Sequence, residues 1–202
     1  MTADAFSDLV LFLVCAWLAY ANFRDEQEPA GFGLTFVLIG LAAGLGILRF
    51  SSYPDISDAV KGAHQFASLV AAVGAFPIWA FSLAHPESAL ARRLAGAWWL
   101  TFVVGGFGVG IWTLGFKLWS QLIPALCALW MAWTVLRGWR GQALWWGVAG
   151  LACLFSSFAA ALLLAPQVPV IGFVTKTQLL HYWLALALVL LNVGRIHIPK
   201  GR

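Results

Sequence analysis

Apolar residues in this chain come in long runs separated by short polar breaks. Seven runs stand out: Ala5–Asn22, Gly31–Phe50, Val60–Ala84, Ala91–Leu114, Lys117–Leu136, Gly141–Ala165 and Val174–Ile196. Each is close to the length of about 20 residues that a helix needs to cross a bilayer. The fourth and fifth are the hardest to separate, because apolar sequence runs almost unbroken from Ala95 to Leu136. That is too long for one crossing, and Gly115-Phe116-Lys117 is the one credible turn within it. Pro77 and Pro124 fall inside the third and fifth spans, where each removes a backbone donor and predicts a kink.

Polar residues within the spans are patterned. In the last span Gln178, His181 and Asn192 recur at helical intervals on one face. Polar side chains are costly in lipid and face the bundle interior. That face therefore needs a partner within the protein. Small residues at Gly40-x-x-x-Gly44 and Gly106-x-x-x-Gly110 predict two close helix contacts within the chain.

Composition agrees with a membrane protein. The chain has 202 residues, 62% hydrophobic and only 10% charged, against about 25% charged in soluble domains. The expected fold is all-α: residues 1–202 form a single seven-helix transmembrane domain, integral to the cell membrane (the inner membrane if the source is bacterial). Lys and Arg set its orientation. One side carries Arg24, Arg92, Arg93, Arg137, Arg140, Arg195, Lys200 and Arg202, the other Arg49, Lys61, Lys117 and Lys176. The richer side should be cytoplasmic, which puts the N-terminus outside and the C-terminus inside. The first span is expected to stay uncleaved, since Asp4 and Asp8 precede its core and no Lys or Arg does. The basic residues flank spans and form no aromatic-basic segment, so nucleic acid is not an expected partner. The expected partners are the bilayer and a small-molecule or lipid ligand, with another membrane protein as a further candidate.

Cys15, Cys127 and Cys153 each lie well inside a span and read as packing residues. Many of the twelve Trp, among them Trp98, Trp99, Trp139, Trp145 and Trp146, fall near span ends, where interfacial belts form. Asp55 and Asp58 are candidate caps of the third helix.

Chemistry gathers in the outer third. Asp8, Arg49, His64, Gln65, Ser68, Ser120, Gln121, Gln178, His181 and Tyr182 all lie there, whereas the inner half offers isolated groups such as Asn22, Ser82, Thr134 and Asn192. His181 is roughly 8 Å below Lys176 at 1.5 Å per residue, and His64 has a similar depth. Arg49, His64, Gln121, Gln178 and His181 are the candidate ligand-binding residues of an outward-opening polar pocket. Asp8, His64 and His181 could make a three-ligand zinc site. The two histidines could instead hold haem from opposite faces, or simply fix the packing. Asp8 with Arg49 could form an ion pair across the outer mouth, and Arg49 with Lys61 could hold an anionic headgroup. Retinal-type chemistry is not expected, because Lys176 is the one lysine of the last span and lies at its end.

This layout resembles the CREST superfamily of seven-helix membrane proteins, which includes alkaline ceramidases and the progestin and adipoQ receptors. The resemblance implies a zinc site near the face from which the first helix starts, built from the end of helix two and the starts of helices three and seven. Those places here hold Arg49-Phe50-Ser51-Ser52, His64 and His181. The family's Ser-x-x-x-His at the end of helix two is absent. Its His-x-x-x-His in helix seven is reduced to His181, with Ala185 four residues on. The leading expectation is a sensor or receptor for a small or lipid-like ligand. The alternatives are a metal-dependent hydrolase of a lipid amide or ester, a haem-bearing electron carrier, and a structural subunit.

Overall fold

A computed structural model describes residues 2–51, 57–163, 169–171 (backbone) and 174–198. It is all-α, with seven helices long and apolar enough to cross a membrane. They are α1 (Ala3–Arg24), α2 (Ala30–Ser51), α3 (Asp58–Ala84), α5 (Leu94–Thr113), α6 (Trp119–Gly138), α7 (Gly141–Leu163) and α8 (Lys176–Ile196). A one-turn helix α4 (Ala89–Arg92) precedes α5, separated from it by the extended residue Arg93. The expected fourth span, Ala91–Leu114, is therefore broken near its start. Two short strands, β1 (Pro169–Ile171) and β2 (Val174–Thr175), pair antiparallel before α8. The hydropathy pattern gave no sign of them.

The punctuation has physical causes. Gly115 turns the chain between α5 and α6 with φ 102°, a conformation costly for residues with a Cβ. Lys117 closes that turn, its Nζ donating to Trp112 O at 3.3 Å and lying over the Trp112 ring. The cap of α3 is Ser57, whose Oγ accepts from Val60 N, not Asp58. Asp55 lies outside the described residues. Pro77 has no N–H to give, and the turn before it, Ala71–Ala75, widens to π geometry in which Phe76 N–H reaches Ala71 O. A second π turn, Thr101–Gly105, lies in α5. The two wide turns touch: a Cβ built on Gly105 would lie 3.3 Å from Gly74 Cα.

Helices α2 and α3 are the most buried and carry the core. Phe36, Phe76 and Trp79 form an aromatic cluster there, and Phe76 reaches Phe158 of α7 at 5.5 Å. Gly40 and Gly44 make the expected contact, receiving Cys15 and Phe12 of α1. The second small-residue pair does not. A Cβ on Gly106 or Gly110 would meet nothing within 4 Å, and the close approaches of α5 come from Gly105 and Gly108. The π turn adds a residue to the helix and so rotates which glycines face the bundle. Trp139 stands at the end of α6, as expected. It is buried, packed where Cβ atoms on Gly147 and Gly194 would otherwise be. The three cysteines are free and buried, as expected.

Candidate functional site

The face of α8 that carries Gln178, His181 and Asn192 lies on α1, rung by rung. Gln178 Nε2 donates to Asp4 Oδ1 at 3.0 Å, and Thr175 Oγ1 donates to the same oxygen at 2.8 Å. One turn deeper, His181 Nδ1 lies 3.1 Å from Ser7 Oγ and 3.4 Å from Asp8 Oδ1. At the far end Asn22 Nδ2 donates to Asn192 Oδ1 at 3.2 Å. Arg195 binds both asparagines, at 2.7 and 2.9 Å, and pairs with Glu28. Asn22 and Asn192 are thus not isolated groups. They belong to a buried network that helical spacing within one span does not reveal. The matching depths of Asn22 near the end of the first helix and Asn192 near the end of the last were the available signal.

Next to the middle rung lies a cavity of about 270 Å³. Its walls come from α1, α2, α3, α6, α7 and α8. Helix α6 packs on α3 chiefly along Ala71–Ala84. Its first turn, with Ser120 and Gln121, borders the cavity instead. Asp8, His64, Ser68, Gln121 and His181 are among the polar wall residues, and Leu11, Ile39, Phe76, Phe158 and Leu184 among the apolar ones. Ser157 is in the wall as well, but its hydroxyl donates back to Leu154 O at 2.8 Å.

Hydrogen-bond accounting fixes which atoms the site has to offer. Ser7 Oγ donates its single proton to Asp4 O at 2.8 Å. Toward His181 it can therefore only accept, so Nδ1 of that imidazole carries the proton. When the ring is neutral, Nε2 is then a lone pair, with no protein partner among the described residues. Arg49 Nη1 donates to His64 Nδ1 at 2.9 Å. Guanidinium has donors only, so His64 is neutral with its proton on Nε2, facing Ser68 Oγ at 3.5 Å. Asp8 is 1% exposed. Its Oδ2 is buried and has no hydrogen-bond partner. The carboxyl fits because residue 46 is glycine: a Cβ there would lie 2.6 Å from Asp8 Cγ, Oδ1 and Oδ2 alike.

The expected ligand-binding set is thus divided. His64, His181 and Gln121 share the cavity. Gln178 does not, because Asp4 and Thr175 hold it on the α1 seam. Arg49 is not in the wall either, and acts on the site through His64. No ion pair links Asp8 to Arg49 among the described residues. The zinc set does not fit. No three His, Cys, Asp or Glu among the described residues are placed to share a metal ion. His64 spends one ring nitrogen on a guanidinium, a fixed positive charge where a dication would have to sit, and the other on Ser68. The same engagement argues against His64 as an axial haem ligand. Asp4, Ser7 and Gly46 were missed in the sequence, although the shared depth of the first turns of α1 and α8 was a signal for Asp4 and Ser7.

Comparison with protein-family models, characterised proteins and solved structures finds no match to this chain.

Proposed function

We propose that this is a ligand-binding membrane protein of the sensor or receptor type, whose polar-ended cavity takes one small or lipid-like molecule. The observation that carries the reading is the cavity itself: apolar along most of its wall, with Asp8, His64 and His181 together in it. Binding sites for small molecules are concave and mostly apolar with a few placed polar groups, commonly of about 300–1,000 Å³. At about 270 Å³ this one has room for a single short chain or a compact apolar body, not for a two-chain lipid. Lys and Arg are denser at the opposite end of the bundle, so the cavity end is external and the C-terminus cytoplasmic. The hydrolase alternative is the weaker reading, because the Arg49–His64 contact opposes a metal at the histidines.

Native mass spectrometry of the detergent-purified chain tests the reading. Wild type should retain one small amphiphile after mild activation. Ala125→Trp, which fills the cavity from α6, should retain none while keeping its helical circular dichroism. Equal retention by both proteins would sink the proposal.

A further inference from the structure

Two polar atoms of the cavity sit on neighbouring side chains, His181 and Asp8, without a protein partner. In the neutral His181 ring Nε2 is a lone pair, because Ser7 takes the Nδ1 proton. Asp8 Oδ2 is a buried carboxyl oxygen without a hydrogen-bond partner. Both accept. Of the donors nearby, the His64 Nε2 proton goes to Ser68, one Arg49 N–H to His64 and Gln178 Nε2 to Asp4, while the Gln121 amide on α6 and the Ser68 hydroxyl proton on α3 stay open. An unpaired buried acceptor is costly and is relieved by a donor. An anionic head would instead bring further acceptors and negative charge against Asp8.

We propose that the cavity selects a single-chain amphiphile with a hydrogen-bond-donating head, a hydroxyl or an amine, and excludes carboxylate and phosphate heads. The head meets Asp8 and His181, and the chain lies along Leu11, Ile39, Phe76 and Leu184. This assignment rests on the ligand-binding reading of the same cavity. It also reverses the expectation that Arg49 marks an anion site, because the guanidinium is turned to His64.

Three probes of equal chain length test it: decanol, decylamine and decanoate. Each is titrated calorimetrically into the detergent-solubilised full chain, with Ala125→Trp as the blank for partition into micelles. Decanol and decylamine should each bind saturably and about tenfold or more tighter than decanoate, the scale of one hydrogen bond to a charged group. Asp8→Asn, which turns one acceptor into a donor, should narrow that gap to less than about threefold. His181→Leu, which has no acceptor, is the second variant, should Asp8→Asn not fold, and should weaken decanol about tenfold. Decanoate binding as tightly as decanol would overturn the head-group assignment and leave the pocket reading standing. If no probe binds above the Ala125→Trp blank, the pocket reading fails and this assignment falls with it.

Discussion

Gly46→Ala should damage the site by pushing on one side chain, and the geometry gives the size of the push. The new methyl carbon would lie 2.6 Å from Asp8 Cγ, Oδ1 and Oδ2, where ordinary contact begins at 3.4 Å. The difference, about 0.8 Å, must come from Asp8 or from the α1–α2 packing. The equal distances mean that the carboxyl lies face-on to the glycine. Spinning it about its own axis leaves Cγ where it is, so relief requires a different χ1 or a shift of α1. Either movement takes Oδ1 away from His181. Overpacking of this kind costs about 1–3 kcal/mol. Alanine's better helix propensity returns up to about 1 kcal/mol, so a net loss of about 1–2 kcal/mol is expected. A double-mutant cycle with Asp8→Ala isolates the contact, since that change removes all three clashing atoms. In the Asp8→Ala background, Gly46→Ala should be neutral or stabilising, and the coupling should exceed about 1 kcal/mol. Equilibrium unfolding in mixed sodium dodecyl sulfate and maltoside micelles, followed by tryptophan fluorescence, measures all four corners. Additivity within about 0.5 kcal/mol would refute the placement of Asp8 against Gly46.

Other consequences can be checked in the same assay. Asn22→Leu and Asn192→Leu should be coupled by about 0.6 kcal/mol, and by no more than about 1.7, the range for hydrogen bonds between membrane helices; zero coupling would mean that the two side chains do not meet. Gly108→Ala should destabilise, because its Cβ would lie 2.6 Å from Val73 Cβ, whereas Gly110→Ala, with open space around it, should not. Equal effects would remove the case for the π-turn register of α5. A reporter fused after Arg202 and active only in the cytoplasm should give signal, and an external signal from its periplasmic counterpart would reverse the proposed orientation.

The spans, the Gly115 turn and the α1 contact of Gly40 and Gly44 were legible because each follows from hydropathy or from a residue with special backbone freedom. Depth was legible too: counting residues from the span ends brings His64, His181 and Gln121 to one level. Azimuth was not. Gln178 and His181 lie three residues apart on one helix face, yet one ends on Asp4 and the other borders the cavity. Which of the two faces a void is set by the helices opposite, six of which wall the cavity. Gly106 and Gly110 failed as contact residues for a related reason: a π turn changes the helical count, and nothing at Thr101–Gly105 announces one as Pro77 does for α3. The Arg195 network needed the end of α1 and the end of α8 to be neighbours, which is a statement about topology that neither span makes alone.

The most direct test of the central claim is the rate at which Ala161→Cys reacts with a membrane-impermeant thiol reagent added from outside, with and without decanol. Ala161 is in the cavity wall, and the native cysteines are buried, so the background is low. An outward-opening ligand pocket predicts labelling from the outside that decanol slows severalfold, and no protection of a control cysteine at Gly110. Labelling only from the cytoplasmic side, or a rate that decanol leaves unchanged, would contradict it.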